Sequence, residues 1–337
     1  HRQRRRLENR LFRRDTFFQF ERELFPEVIE TTVAPYIADG RGELVSLGHQ
    51  LMMNLAALAA GVDRPRGTPE ETFHLYDYLT TFIQGATLAH YTGDKEEKAA
   101  EVLSQLEKFD DEFLTPGIAR RRALLEKVES GEIGEDALPK DVLMVLLRNE
   151  DKIALSHEAI RREIAFYLLA GAHTSATAFT RCMHNCFKWL DANPDQAERL
   201  RNDRPFVQRA THETIRLQGS SPVSQRWALA DIELSSGRSI AKGDRVTIDL
   251  LTANRSTDVY GPDAEVFNPD RELAEGVPPW GLSFGQGMLA CIGQDLAAGL
   301  VFDPGETEEE HLFGLVPVAV QKMFDHGCRP DPDNPPE

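Results

Sequence analysis

A cysteine flanked by glycines is the feature of this sequence whose residue types and spacing point most directly to chemistry. Cys291 stands in the run FGQGMLACIG, residues 284–293. Glycines let the backbone bend tightly and bring N–H groups toward the sulfur, which stabilises a thiolate and tunes any metal that it binds. We expect a helix over Cys291–Leu300, whose dipole would add to this stabilisation. The run therefore predicts a thiolate metal ligand at Cys291.

The same run also fits a rival pattern, the glycine fingerprint of dinucleotide-binding folds. That fingerprint requires a strand immediately before it and a complete βαβ unit around it. Pro278 and Pro279 stand where the strand would be, and little chain follows Gly293 to build the unit. The metal-ligand interpretation is therefore favoured over dinucleotide binding.

A second group of chemically capable residues lies within a long helix predicted from Ser156 to Leu190. Ser156 is a good N-cap, and apolar residues fill the middle of the segment. Gly171 stands near its centre, where glycine costs about 1 kcal/mol relative to alanine. A glycine there indicates a packing or functional requirement, and the neighbouring His173 and Thr174 offer an imidazole and a hydroxyl.

A third candidate is the pair Glu213 and Arg216, on a helix predicted over Pro205–Gln218. Residues three apart face the same side of a helix, so the two charges can pair. A surface ion pair would have the same spacing and would contribute little to stability. By itself the pair therefore indicates no specific function.

Hydrophobic periodicity places these residues in a mainly α-helical fold with a minor β region. Apolar residues at three- and four-residue spacing predict helices through most of the first 218 residues, and we expect Pro116 and Gly117 to interrupt one of them. Short β-branched runs separated by glycines then predict a small sheet. The helices predicted before the long one are Glu43–Val62, Pro69–Tyr91, Lys95–Phe113 and Ala119–Ser130, and the predicted strands are Val223–Leu229, Ile232–Leu234 and Val246–Leu251.

The composition excludes several classes of protein. The chain has 55 acidic and 38 basic residues, a formal net charge of −17 over 337 residues, which disfavours general nucleic-acid binding. With 41% hydrophobic residues the chain can bury a core, and no apolar stretch reaches the ~18 residues of a membrane helix. Four cysteines in a chain of this length do not form a disulfide framework, so we expect a reducing, cytoplasmic compartment.

Charge is distributed unevenly along the chain. Residues 1–14 hold seven arginines and one acid, whereas residues 303–310 form an acidic insert with five acids. The arginine-rich start can be a basic docking face for an acidic partner or an ordinary solvated helix face.

The remaining cysteines do not form a zinc motif. Cys182, His184 and Cys186 lie on one helical segment, but a second ligand pair is missing from the sequence around them. We expect buried, inert thiols there and an incidental cysteine at Cys328.

Taken in this order, the motifs resemble the cytochrome P450 family of haem-thiolate monooxygenases, with the spacing of its soluble bacterial members. The resemblance implies one domain over residues 1–337, with haem b between the long helix and the cysteine loop. Glu213 and Arg216 match the family's fold-stabilising Glu-x-x-Arg pair. Compared with a typical member, we expect roughly the first fifth of the chain and the last strands to be missing.

The resemblance also implies roles for individual residues. It makes Cys291 the axial iron ligand, within a signature that includes Phe284, Gly287 and Gly293. The oxygen-binding kink of the family's long helix matches Ala170, Gly171 and Thr174. The residues that match contacts to the haem propionates are Arg226, His1 and Arg5.

Two positions depart from the family pattern. Leu289 replaces a His or Arg that contacts a propionate, and His173 stands where the family has Asp or Glu. The acid of the family's acid–alcohol proton relay is therefore absent. With an ordinary pKa near 6.5, His173 could replace that acid near neutral pH. Alternatively, it only pairs with a neighbour while water carries the protons.

The activity implied by the resemblance is insertion of one oxygen atom from O2 into a small organic substrate. Electrons would come from a ferredoxin-type carrier and its reductase. Phe166, Ala170 and Thr174 share one helical face, and the candidates for the substrate pocket are Phe166, Val223 and Ser224.

Two alternatives remain open. One is a peroxide-driven or otherwise atypical haem-thiolate enzyme of the same fold, which His173 motivates. The other is a non-catalytic haem binder or sensor. Thr174 argues against both, because a hydroxyl at this position is what O2 activation uses in the family.

Overall fold

The computed structural model describes residues 13–153, 155–303 and 305–334, which are mostly helical with two small sheets. The helices before residue 154 are α1 (Arg14–Gln19), α2 (Phe25–Asp39), α3 (Leu44–Ala60), α4 (Pro69–Ala86), α5 (Lys95–Phe109), α6 (Thr115–Glu129), α7 (Val142–Leu147) and α8 (Glu150–Ile153). The next are the long α9 (His157–Ala192), α10 (Ala197–Asn202) and α11 (Arg204–Leu217). The remaining elements are β1 (Val223–Trp227), β2 (Ile232–Glu233), β3 (Ser239–Ile240), β4 (Arg245–Asp249), α12 (Leu250–Ala253), α13 (Thr257–Tyr260), α14 (Gln294–Ala298) and α15 (Leu315–Asp325).

The chain divides into two compact units. The first contains the chain up to Thr180 together with Asp295–Ala297, and the second contains Arg181–Gln294 and the chain from Ala298 onward. Among the described residues, the secondary structure of the first unit is helical, whereas the second unit contains both sheets. In the described part of the chain, no helix is long and apolar enough to cross a bilayer.

Short polar side chains and glycines set the helix ends. The Glu43 carboxylate accepts hydrogen bonds from the first N–H groups of α3, and Gly61 ends that helix with φ of +88°. Ser156 caps α9 through a 3.2 Å bond from the N–H of Ala159 to its hydroxyl. Asp203 caps α11 by accepting from the N–H of Phe206 at 2.8 Å. These local signals explain why α3, α9 and α11 lie within two residues of their predicted positions.

The predicted interruption at Pro116 and Gly117 is wrong. A π-helical turn, Asp110–Leu114, joins α5 to α6, so the helical path continues past the proline. Pro116 occupies the first turn of α6, where its missing N–H and its ring are tolerated because the wider π turn shifts the preceding carbonyls.

The core of the first unit is built from the inner faces of its helices. Leu79 of α4, Leu143 of α7, and Ile164 and Leu168 of α9 are fully buried in one apolar cluster. The buried positions of α9 recur at three- and four-residue intervals, as an amphipathic helix requires. One face of α9 therefore supports the first unit, and its other face is available for chemistry.

The second unit combines two hairpins with α11 and α15. Strand β1 pairs antiparallel with β4, from Val223 opposite Asp249 to Trp227 opposite Arg245. Strands β2 and β3 form a separate two-stranded sheet. Strands β1, β2 and β4 lie where the sequence predicted strands, although each is shorter than predicted, whereas β3 was not predicted. Most side chains of α11 and α15 are buried.

Asp141 provides a test of how the first unit is held together. Its carboxylate caps α7 through the N–H of Met144 at 2.8 Å and pairs with the buried Arg121 at 2.7 Å. We expect Asp141→Ala to lower the free energy of unfolding by about 3 kcal/mol, because it leaves a buried guanidinium short of a partner. Urea unfolding measures the change. Asp136→Ala, at an exposed carboxylate, should change it by less than about 0.5 kcal/mol, and equal losses in both variants would contradict this role.

Candidate functional site

The loop that carries Cys291 is closed by its own backbone. The N–H of Cys291 donates to the carbonyl of Phe284 at 2.8 Å. Gly285 and Gly287 have φ values of +68° and +70°, in the left-handed region that side chains disfavour. The backbone therefore requires glycine at both positions. Cys291 lies at the end of this loop and is exposed.

The helix predicted from Cys291 to Leu300 is wrong at its start. Helix α14 begins only at Gln294 and has five residues, because Ile292 and Gly293 form a turn before it. Cys291 therefore lies outside the helix, and the predicted helix-dipole contribution does not apply. The backbone N–H groups of the loop can still stabilise a thiolate at this position.

Asn254 ties the base of the cysteine loop to the end of α11. Its Nδ2 donates to the carbonyl of Arg216 and to Oγ of Ser283, each at 3.0 Å. Its Oδ1 accepts from the N–H of Leu282 at 2.7 Å. Ser283 in turn donates to the carbonyl of Ile215 at 2.7 Å. Because Asn254 is only 1% exposed, water does not compete for these bonds.

The Glu213 carboxylate lies at the centre of a buried charge network. Its two oxygens accept from Nη2 and Nε of Arg216, both at 2.7 Å. Arg271 donates from Nε to the same carboxylate at 3.1 Å. Arg216 also donates to the carbonyls of Asn254 and Ala264. The three charged side chains are at most 6% exposed, so this pair is not the surface ion pair that its spacing alone allowed.

Aromatic contacts extend the support from α11 to the loop. His212 meets Trp280 edge-on with ring centroids 5.1 Å apart. Trp280 meets Phe284 in the same way at 5.7 Å. Phe284 therefore holds the loop by both its ring and its carbonyl.

The face of α9 that carries Phe166, Ala170 and Thr174 is open. The Phe166 side chain is 56% exposed and Thr174 is exposed. Oγ1 of Thr174 donates to the carbonyl of Ala170 at 2.6 Å. This open face lies opposite the buried positions of α9 in the first unit.

Gly171 has a packing reason of its own. A Cβ at this position would lie 3.2 Å from Cβ of Ala56 on α3, which is tighter than ordinary side-chain contacts. Helix α9 is continuous α-helix through residues 170–174. The close approach of α3 therefore accounts for the glycine without a break in the helix.

His173 faces the interior of the first unit, beside α3. Its ring lies 6.4 Å from that of His49, which stacks on Tyr76 at 4.5 Å. Nδ1 of His173 is buried with no hydrogen-bond partner among the described residues. Burial lowers the pKa of His173, and burial together with the neighbouring His173 lowers that of His49. His173 is therefore neutral over a wider pH range than an ordinary pKa of 6.5 gives.

The other predicted residues occupy varied settings. Arg226, on β1, is exposed and donates to Oγ of Ser224 and to the carbonyl of Gln225, both at 2.8 Å. Val223 is exposed and Ser224 half-buried on the same strand. His1 and Arg5 lie outside the described residues, as does most of the arginine-rich start.

The expected burial of Cys182 and Cys186 is confirmed. Cys182 and Cys186 are buried, with their sulfurs 4.0 Å apart and Cys182 3.4 Å from Oγ1 of Thr211. Cys328 is half-buried, and burial raises its pKa. Among the residues that the structure describes, no three His, Cys, Asp or Glu side chains cluster to hold a metal ion.

The cysteine loop fits a flat prosthetic group held by one sulfur. A Cβ at Gly287 would meet nothing within 4 Å, and one at Gly293 would lie 3.8 Å from Sγ of Cys291. Met288 and Leu289 are 89% and 64% exposed, so the surface beside the thiol is apolar. A single thiol on an open apolar surface suits haem, which supplies its other iron ligands itself.

Several supporting residues were not identified from the sequence. Asn254, Trp280, His49 and His212 act through partners that are distant along the chain. Local spacing contains no signal for such partners. For Asn254 the available hint was its place in an irregular segment, where a buried side chain has to satisfy nearby backbone groups.

The chain is similar to known proteins over much of its length. The family profile of cytochrome P450 matches residues 95–301. The bifunctional cytochrome P450/NADPH–P450 reductase 2 of Bacillus subtilis is 30% identical over 176 residues, which are 47% of this chain and 17% of that protein. Cytochrome P450 4F12 of Homo sapiens is 32% identical over 181 residues, 47% of this chain and 33% of that protein. The matches thus cover a third or less of these curated relatives.

Solved structures agree in fold. CalO2 superposes with a TM-score of 0.70 at 20% identity, covering 95% of this chain and 68% of that chain. CYP154A1 from Streptomyces coelicolor superposes with a TM-score of 0.66 at 22% identity, covering 99% of this chain and 72% of that one. Together with the profile match, which spans more than half of the chain, these findings show that the chain belongs to the cytochrome P450 family.

Proposed function

We propose that this protein is a cytoplasmic haem-thiolate monooxygenase that inserts one oxygen atom from O2 into a small organic substrate. The observation that carries the proposal is the exposed Cys291, at the end of a loop whose glycines and backbone hydrogen bond fix its shape. Members of the cytochrome P450 family bind haem b through a cysteine thiolate. A bound haem would supply the activation of O2 and the cleavage of its O–O bond.

The residues proposed to hold the haem divide by role. Cys291 would hold the haem iron through its sulfur, with Phe284, Gly287 and Gly293 shaping its loop. The loop's N–H groups would stabilise the thiolate form. The side chains proposed to pair with the haem propionates are Arg226, His1 and Arg5.

Thr174 is proposed to handle protons at the reacting oxygen. Its Oγ1 both donates and accepts, and it now donates to the carbonyl of Ala170. The hydroxyl can exchange that bond for one to a more basic oxygen acceptor. Its exposure on the open face of α9 supports this role.

His173 is proposed to be the outer member of the same relay. A neutral imidazole accepts a proton at one nitrogen and releases one from the other. The buried Nδ1, which has no partner among the described residues, is the atom proposed to accept. Because the pKa is lowered, the ring holds that proton weakly and releases it readily.

The open face of α9 is proposed to contact the substrate through Phe166, with Val223 and Ser224 as further candidates. Electrons are proposed to come from a ferredoxin-type carrier and its reductase. The arginine-rich start of the chain would attract such an acidic carrier by charge, with a rate that falls as salt increases.

Replacing Cys291 tests the ligand assignment. The reduced, CO-bound protein should show the red-shifted Soret band of thiolate ligation, and Cys291→Ser should abolish it because a hydroxyl is a poor substitute for a thiolate. Cys328→Ser is the control and should retain the band, as should the Cys182 and Cys186 variants. A Cys291→Ser protein that retains the band would disprove the assignment.

Replacing Thr174 and His173 tests the proton relay. Thr174→Ala should uncouple the enzyme, so that peroxide is released in place of product. His173→Ala should slow proton delivery and enlarge the solvent isotope effect, whereas His173→Asp should retain activity. Burial lowers the pKa of His173 below 6.5. As the pH rises, the ring therefore loses its proton before the pH reaches 6.5. The His173-dependent part of the rate should therefore increase as the pH falls.

The outcomes of these measurements separate the alternatives. Equal coupling in the natural protein and Thr174→Ala would favour the peroxide-driven enzyme. Equal rates and equal isotope effects in His173→Ala would remove the histidine from the relay and leave water as the proton carrier. If the protein binds haem but consumes no oxidant, it is a non-catalytic haem binder or sensor.

A further inference from the structure

The acidic insert is part of an excursion between two helices. Helix α14 ends at Ala298 and α15 begins at Leu315. The chain leaves at Gly299 and returns at Gly314, with φ values of +74° and +91°, and the two glycines lie so close that a Cβ on Gly314 would collide with the backbone of Gly299. Residues 299–303 and 305–314, here called the excursion, thus begin and end at one point on the second unit.

Buried side chains fix the excursion at its base. Nε2 of Gln208 on α11 contacts the carbonyls of Leu300 at 2.8 Å and Phe313 at 3.0 Å. Leu300 lies where the excursion leaves the second unit, and Phe313 lies where it returns. His311 is fully buried, with Nε2 3.1 Å from Oε1 of Gln208 and Nδ1 2.9 Å from the carboxylate of Glu306. The excursion is therefore an organised part of the second unit.

The excursion forms one wall of a cavity of about 640 Å³ in the second unit. One face of α11 and the loop 268–280 form the other walls. The volume lies in the range of pockets that bind small molecules, about 300–1,000 Å³. The apolar part of the lining comes from Leu273, Val277, Pro278, Trp280, Val301 and Phe302.

The charged side chains of the lining are already paired. Arg209 donates to the carbonyl of Pro269 at 3.1 Å and to the carboxylate of Asp270 at 3.2 Å. Glu213 and Arg271 pair with each other within the buried network. A charged ligand would compete with these pairs, so the lining favours a neutral one.

His212 provides the polar group that would orient such a ligand. Its Nε2 lies 2.7 Å from the carbonyl of Ala298, which can only accept, so Nε2 carries the proton. Burial lowers the pKa of His212 to about 4, so the ring is neutral at neutral pH and Nδ1 is a hydrogen-bond acceptor. His212 and Trp280 both line the cavity, and their rings meet edge-on.

We propose that this cavity is a second ligand site, which binds a neutral aromatic molecule of the phenol class through a hydrogen bond to Nδ1 of His212. The aromatic body would pack against Trp280 and the apolar wall of the excursion. Trp280 also supports Phe284 of the cysteine loop, so the ligand would contact a residue that holds the loop. The site does not depend on the proposed monooxygenase activity.

A pair of probes that differ in one donor tests the site. Binding of 4-fluorophenol and of 4-fluoroanisole to the haem-loaded protein can be followed by the broadening of their ¹⁹F NMR signals. The phenol should bind about tenfold more tightly, because the methyl ether leaves the His212 acceptor without a partner. His212→Phe should remove the difference between the probes. Equal affinity of the two probes for the natural protein would overturn the proposal.

Matched variants locate the binding. Val301 and Val266 are each 58% exposed, but only Val301 lines the cavity. Val301→Phe should place a bulkier side chain in the cavity and weaken binding of 4-fluorophenol by about tenfold, whereas Val266→Phe should leave it unchanged. Because both side chains are exposed, neither change disturbs the core, and a misfolded His212 variant would not affect this comparison. Unchanged binding in Val301→Phe would place the probe elsewhere and refute the site.

Discussion

The Glu213 carboxylate is the group on which the arrangement of the second unit depends. Burying three charged side chains costs several kcal/mol per ion unless each finds complete hydrogen bonding. Arg216 and Arg271 meet this requirement with bonds to Glu213 and to backbone carbonyls of the irregular segment that follows the sheets. These bonds form in one arrangement of that segment. The network therefore selects a conformation more than it adds stability.

The same network determines where the cysteine is presented. Arg216 donates to the carbonyl of Asn254, and Asn254 bonds to Leu282 and Ser283 at the base of the cysteine loop. The loop itself contains few side chains that pack, since its glycines leave open space and Met288 and Leu289 are exposed. The shape of the loop is thus determined by the buried polar contacts of Asn254 at its base. The surface of the loop stays open for a prosthetic group. This division suits a site that has to be formed before its cofactor arrives.

The parts of the structure that sequence reasoning predicted are those with local causes. Helices α3, α9 and α11 have caps and periodic apolar faces, and Gly285 and Gly287 before Cys291 have the positive φ values that the local backbone requires. The errors concern interactions that the chain makes with itself at a distance. Sequence reasoning missed the π turn before Pro116 and the turn before α14, which local spacing does not specify. It also missed the lowered pKa of His173, which results from burial beside α3. The acidic insert was visible in the composition, but the anchoring of the excursion around it by Gln208 was not.

The central claim is that the sulfur of Cys291 binds the haem iron. Resonance Raman spectra of the ferric, haem-loaded protein test it directly, through the Fe–S stretching band of protein grown with ³⁴S-cysteine. Cys182, Cys186 and Cys328 would be replaced by serine, so that the label resides at Cys291. If the Cys291 sulfur binds the iron, the band moves to lower frequency with the heavier isotope. A haem-loaded protein without any ³⁴S-sensitive band would contradict it.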